Sequence, residues 1–272
     1  MELVIPELNF VAILPQLLVL ATALVVLLAD LFWSDKKGLG WLSLAGLVVA
    51  GIAAAAMLAG AGTSPAAFQT TAIADRFSLI VGLIVIVAAA LTILLSVGYA
   101  RGLGIAGGEY YGLLLLSAAG MMFMAASTHL MTIFLSLEIL SISLYVLAGL
   151  NRAEPRSGEA ALKYFLLGGF ASAFLLYGMA LTYGATGTTS LAGIAAAIPA
   201  AGPWSPLLLV GLGLMLVGFA FKIAAAPFHM WTPDVYQGAP TTVTGFMSTG
   251  SKAAAFAALV RLLLTAFPAL TD

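Results

Sequence analysis

Three ionisable residues stand in or beside long apolar runs: Glu138 within THLMTIFLSLEILSISLYVLAGL, Lys222 directly after Leu207 to Phe221, and Lys252 within Thr242 to Phe267. A charge near the bilayer centre costs about 2.5–3.5 kcal/mol on insertion scales, so such residues mark an ion route or a paired partner. One acid and two bases at membrane depth point to proton transfer. Ser141 and Tyr145 follow Glu138 at helical spacing, which puts all three on one face. The competing reading of Glu138 is a carboxyl that hydrogen-bonds a neighbouring helix and fixes packing. Thr241, Thr244, Ser248 and Lys252 form a hydrophilic stripe suited to ordered water. In the competing reading the hydroxyls bond back to their own helix and Lys252 pairs statically with an acid.

Lys222 precedes Pro227, whose missing N–H and ring clash should break the helix and free its carbonyls. Broken helices persist in membranes where protein or water satisfies the exposed backbone, and transporters place ion sites there. The alternative is a plain helix end with Lys222 reaching the cytoplasmic surface. Lys163 lies only a few residues inside its run, where a lysine also snorkels to headgroups beside Arg152 and Arg156. His229 suits a proton relay, with an ordinary pKa of about 6.5, or else caps the break. Asp234, Tyr236 and Gln237 read as a turn or partner contact, and Arg261 as a snorkelling anchor.

The elements that must position these residues follow from composition. Hydrophobic residues make up 62% of the 272 and charged ones 8%, against about 25% charged in a soluble domain. This is an integral membrane protein, and its unbroken apolar runs predict helices rather than the alternating strands of a barrel. The expected fold is an all-α, polytopic bundle of about eight helices: Phe10 to Trp33, Leu39 to Gly60, Phe77 to Ala100, Tyr111 to Ala126, Leu130 to Leu150, Ala160 to Tyr183, Pro206 to Ala226 and Thr242 to Phe267. Short connections make residues 1–272 a single membrane domain. The first run is long for a signal peptide and lacks a basic flank, so it is expected to be retained. Lys36, Lys37, Arg101, Arg152 and Arg156 follow odd-numbered spans, which places the N-terminus outside. The uncharged stretch TGTTSLAGIAAAIPAAGPWSP then lies on the outer side. The chain has no cysteine, which removes disulfides and iron–sulfur ligation. Its two histidines form no metal-spaced cluster, no phosphate loop, nucleophile elbow or dinucleotide fingerprint occurs, and no nucleic-acid partner is expected.

The segments LMTIFLSLEILSISLYVLAGL, EAALKYFLLGGFASAFLLYGMALTYGATGT and FKIAAAPFHMWTPDVYQGAPTTVTGFMSTGSKAAAFAAL resemble the proton-translocating antiporter-like subunits of respiratory complex I, most closely the subunit N family of bacterial NADH-quinone oxidoreductase. The likeness is dense from Tyr110 to Leu264. It implies a membrane subunit that couples NADH oxidation and quinone reduction elsewhere in the complex to proton translocation. Glu138 then matches the acid of the fifth helix, Lys163 the sixth-helix lysine, Lys222 the lysine of the broken seventh and Lys252 that of the eighth. Residues 1–109 become the N-terminal helices and 110–272 the first half-channel repeat. NADH, FMN, iron–sulfur clusters and quinone are implied in partner subunits, with no cofactor in this chain. The implied partners are other membrane subunits and the lipid bilayer of a bacterial plasma membrane. The family has about fourteen helices, whereas this chain ends after the eighth at ALTD, without the twelfth-helix lysine. The expectation is a fragment or truncated reading frame. Alternatives are a subunit of a related sodium/proton antiporter and a non-pumping scaffold.

Overall fold

A computed structural model of the chain describes residues 9–33, 36–60, 66–67, 71–201 and 205–268. The terminal ALTD falls outside the described residues. Eight described helices are long and apolar enough to cross a membrane: Phe10–Phe32, Gly38–Ala59, Arg76–Gly102, Gly108–Ala126, Leu130–Ala148, Pro155–Thr186, Pro206–Ile223 and Thr241–Ala266. The expected eight-span bundle is therefore present. In chain order the elements are a 3₁₀ turn (Phe10–Ile13) leading into α1 (Leu14–Phe32), α2 (Lys37–Ala59), a two-stranded ribbon of β1 (Ala66–Ala67) and β2 (Ala72–Ile73), α3 (Arg76–Gly102), α4 (Gly108–Ala126) and α5 (Leu130–Ala148). There follow α6 (Pro155–Thr186), α7 (Leu191–Ala201), α8 (Pro206–Ile223), α9 (Thr232–Gly238), α10 (Thr241–Phe246), a π-helical turn (Met247–Ser251) and α11 (Lys252–Ala266).

The centre of the bundle is α4, which packs against α1, α3, α5 and α11. Its sequence carries the small residues that close approach in lipid requires. A Cβ on Gly120 would lie 2.8 Å from the Leu140 amide nitrogen and 2.9 Å from the Ser136 carbonyl oxygen, so α4 and α5 touch backbone to backbone. Likewise α6 and α8 meet at Gly178, Gly211 and Gly218. A Cβ on Gly178 would sit 2.5 Å from the Gly211 carbonyl oxygen.

Two spans differ in length from expectation. α6 has 32 residues, about 48 Å at 1.5 Å per residue, and so overhangs a hydrocarbon core of about 30 Å. It closes on Gly187 at φ 71°, a left-handed position that suits glycine. α8 stops at Ile223, three residues before the expected Ala226. The uncharged connection after α6 holds a helix of its own, α7, packed on α6 and α11. Backbone bonds tie it to neighbouring loops: the Leu130 N–H donates to the Thr189 carbonyl, the Leu191 N–H to Thr128, and the Thr128 N–H to Thr71. That end of the bundle is thus laced together.

Arg261 corrects the snorkelling expectation. Its guanidinium forms a two-pronged pair with Asp75 at 2.8 and 2.9 Å, and its Nε donates to the Ala125 carbonyl at 3.0 Å. The arginine side chain is 10% exposed. It therefore locks α11 to the start of α3 and the end of α4, while Asp75 also caps α3 through the Ser78 N–H at 2.8 Å. Burial would raise the Asp75 pKa, yet the Arg261 and Ser78 hydrogen bonds together with the arginine charge hold it below the usual carboxylate range. With a lowered folded-state pKa, the stabilisation is present above the unfolded value of about 3.9 and fades as pH falls through the folded one. Arg261→Met should cost about 2–5 kcal/mol, as for one partner of a hydrogen-bonded buried charge pair, and remove this acid-side loss. Thermal unfolding of the detergent-solubilised protein at neutral pH and near pH 3 checks both.

Candidate functional site

The site is built where α8 ends. Ala224 adopts φ 59° and ψ 41°, the left-handed region, which costs a non-glycine residue about 1–2 kcal/mol. The Ala225 N–H donates to the Ala220 carbonyl at 2.8 Å and the Ala224 N–H to Phe221 at 3.1 Å, closing the helix end. The break thus begins three residues before Pro227, where the sequence alone had placed it. Trp231 folds back over it, and its Nε1 donates to the Phe221 carbonyl at 3.1 Å. The chain then forms α9 in place of the expected turn around Asp234, Tyr236 and Gln237.

Lys222 lies in the last turn of α8, about 24 Å along the helix from Pro206, and is nonetheless only 3% exposed. Its Nζ donates to Ser141 Oγ at 2.8 Å and to the Tyr164 hydroxyl at 3.3 Å. The rings of Tyr164 and Tyr145 lie 5.3 and 5.8 Å from it, at cation–π distance. This arrangement excludes a lysine reaching for the surface. Although Lys222 ends its own helix, its ammonium lies against Ser141 in the middle of α5, one turn from Glu138.

The Glu138 carboxylate accepts a hydrogen bond from Ser172 Oγ on α6. No direct ion pair joins Glu138 to Lys222 among the described residues. Between their partners lies a cavity of about 10 Å³, lined by Ser141, Tyr145, Gly168, Ser172, Gly218 and Lys222 among others. That is close to the smallest space that holds one water, and the hydroxyls and ammonium around it supply the polar contacts such a water needs. Gly168 makes room for Tyr145, since a Cβ there would lie 2.0 Å from the Tyr145 hydroxyl.

Lys252 is half-buried at the start of α11, where the π turn gives way to α helix. Its Nζ stands 5.5 Å from the centre of the Tyr236 ring. The expected stripe is only partly realised. Thr244 Oγ1 reaches the Tyr236 carbonyl at 3.1 Å, but Ser248 is exposed and bonds back to Gly245, because the π turn rotates it out of line. Lys252 meets an aromatic face rather than the acid of the competing reading.

Two candidates are not brought into this cluster. Lys163 is exposed and forms ion pairs with Glu159 and Asp234, both at 2.6 Å, because it lies on the overhang of α6. Its neighbour Tyr164 faces inward. The side chain of His229 is exposed beside the break and does not line the Lys222 cavity. Sequence reasoning missed Ser172, Tyr164 and Trp231. The first two carry no periodic polar signal within α6, and Trp231 looks like an interface aromatic.

With this geometry in view, a transmembrane family described as NADH:quinone oxidoreductase/Mrp antiporter matches residues 127–271. The chain belongs to this family. It is 52% identical over 265 residues to NADH-quinone oxidoreductase subunit N of Trichlorobacter lovleyi, covering 96% of this chain and 54% of that protein. It is 44% identical over 273 residues to subunit N 1 of Herpetosiphon aurantiacus, covering 97% and 54%. Among solved structures it is similar to a chain of respiratory complex I from Thermus thermophilus, with TM-score 0.78 and 38% identity over 91% of this chain and 52% of that one. A chain of the membrane-bound sulfane sulfur reductase, an archaeal respiratory membrane complex, gives TM-score 0.83 at 27% identity, covering 97% and 56%. The Mrp complex of Dietzia sp. shares the fold, with TM-score 0.77 at 24% identity over 95% of this chain and 50% of that one. The chain spans about half the length of the curated relatives it matches. The family match takes in Glu138, Lys163, Lys222 and Lys252.

Because Ser141 is the nearest donor–acceptor to the buried ammonium, Ser141→Ala should destabilise the protein by about 1.5–3 kcal/mol, the range for hydrogen bonds to charged groups. In a Lys222→Met background the same change should cost little. A double-mutant cycle by thermal unfolding measures the difference.

Proposed function

We propose that the chain supplies an acid–lysine proton-transfer unit to a membrane subunit of the subunit N type, in a proton-pumping NADH-quinone oxidoreductase. The observation that carries this reading is Lys222: a buried lysine at a helix break, joined through Ser141 and a water-sized cavity to the serine that holds Glu138. Residues 110–272 act as the first half-channel. Redox chemistry and its NADH, FMN, iron–sulfur and quinone groups belong to partner subunits, and other membrane subunits are the neighbours. The host membrane is a bacterial plasma membrane with the N-terminus outside, a reading supported by the basic loops.

In the mechanism, a signal from quinone reduction changes the separation of Glu138 and Lys222. At an effective dielectric of about 20, opening a charge pair from about 5 to about 10 Å removes roughly 1.7 kcal/mol, about one pKa unit. Separation favours loss of the ammonium proton toward Lys252, and return of the carboxylate favours its recapture. Ser141 and Ser172, which hold the two groups, both line one water-sized cavity, so the coupling needs no direct pair. Lys163, held by Glu159 and Asp234 at the rim, anchors α6 to α9 beside this step.

The test uses the complete subunit in the assembled complex. Glu138→Gln and Lys222→Met should each lower NADH-driven acidification of inverted vesicles by at least threefold without preventing assembly. If a sodium gradient, and not NADH, drives proton movement that these variants abolish, the sodium/proton antiporter reading replaces this one. Unchanged pumping under NADH would leave a scaffold.

A further inference from the structure

A run of aromatic contacts leads from Lys222 to Lys252. The Tyr164 hydroxyl receives the Lys222 ammonium, but its ring stacks on Trp231 with centroids 4.6 Å apart and planes at 11°. Trp231 in turn meets the Tyr236 ring edge-on at 5.9 Å, and Tyr236 lies under Lys252. Ring faces carry no proton, and the Trp231 N–H is committed to the Phe221 carbonyl. Along this run of contacts the rings and the committed indole N–H offer the proton no path.

Two groups of α9 stand at this run of rings. Thr232 and Tyr236 are four residues apart and so share one helical face. Thr232 Oγ1 and the Tyr236 hydroxyl are both buried, and neither has a hydrogen-bond partner in the protein among the described residues. A buried polar group left unpaired costs about 1–3 kcal/mol, and two on one turn of a seven-residue helix double that cost. The helix is nonetheless well fixed: Val235 and Trp231 are buried, and Thr244 Oγ1 donates to the Tyr236 carbonyl. Such pairs of hydroxyls are satisfied by internal water, which needs two to four polar partners.

We propose that Thr232 and Tyr236 form a water-holding relay that carries the proton past the aromatic rings from Lys222 to Lys252, an inference that rests on the proton-transfer reading above. One proton leaves the Lys222 ammonium and one arrives at a neutral Lys252 amine. Each water and hydroxyl between them accepts one proton and gives one up, so none changes its own state. The Trp231–Tyr164 stack keeps this route single-file by filling the remaining space.

The test compares variants of the complete subunit in the assembled complex, with proton uptake into inverted vesicles normalised to assembled protein. Tyr236→Phe keeps the ring, its contact with Trp231 and its position under Lys252, and removes only the hydroxyl. Thr232→Val removes the second hydroxyl at nearly equal volume, whereas Thr232→Ser keeps it. Tyr236→Phe and Thr232→Val should each lower the protons moved per NADH by at least twofold, with Thr232→Ser close to native. Lys222→Met and Lys252→Met serve as references. If both lysine variants lose pumping while Tyr236→Phe and Thr232→Val pump normally, the relay is overturned and the proton-transfer reading stands. If Thr232→Ser falls as far as Thr232→Val, threonine shape rather than its hydroxyl matters, and the relay is again overturned. If no variant, lysines included, changes pumping, both readings fail. Should Tyr236→Phe not assemble, the Val and Ser pair at 232 decides alone.

Discussion

An ammonium group removed from water loses several kcal/mol of solvation even after the surrounding protein relaxes, and only close polar partners recover it. Lys222 is such a group, and much of the site's construction follows from keeping it inside. Ser141 and Tyr164 accept its hydrogen bonds, and the electron-rich faces of Tyr145 and Tyr164 flank it. The Tyr145 ring needs space, which Gly168 leaves open, while Gly218 lets α8 come close to Ala171 and Leu175 of α6. The helix must also end directly after the lysine, and the strained Ala224 with the returning Trp231 ends it without orphaning the Phe221 carbonyl. Each of these features would be costly alone, and together they serve one charge.

The charged groups are distributed unevenly over the two ends of the bundle. Lys222 leaves α8 at its α9 end, and its ammonium reaches back to Ser141, one turn from Glu138 in the middle of α5. The end opposite α9 is held by polar contacts between elements. There Arg261 and Asp75 pin α11, α3 and α4 together, and the loops around β2, Thr128 and α7 exchange backbone hydrogen bonds. The eighth span itself is not uniform, since its π turn lies immediately before Lys252 and turns Ser248 outward. π turns of this kind often mark functional positions in helices.

Much of this was legible in the sequence because membrane crossing imposes a length. Runs of twenty apolar residues gave the spans, and the polar residues that interrupt them gave Glu138, Lys222 and Lys252. What failed to show was any relation between distant segments. Arg261 reads locally as an anchor, since its partner Asp75 lies 186 residues earlier beyond five other spans. Ser172 looks like any small residue in a membrane helix until Glu138 is seen opposite it. Lys163 and Tyr164 are adjacent, and only the packing of α6 on α8 decides that the tyrosine faces in and the lysine faces out. The start of the break was misplaced for a similar reason. Proline forbids helix at its own position, but the closing hydrogen bonds of Ala224 and Ala225 set the end.

The central claim is that a change in the separation of Glu138 and Lys222 makes the lysine release and recapture its proton. Infrared difference spectroscopy of the assembled complex between its resting and NADH-reduced states tests it most directly. The account predicts a carboxyl signal that disappears in Glu138→Gln and shifts in Lys222→Met. A difference spectrum identical in native protein and Glu138→Gln would contradict it.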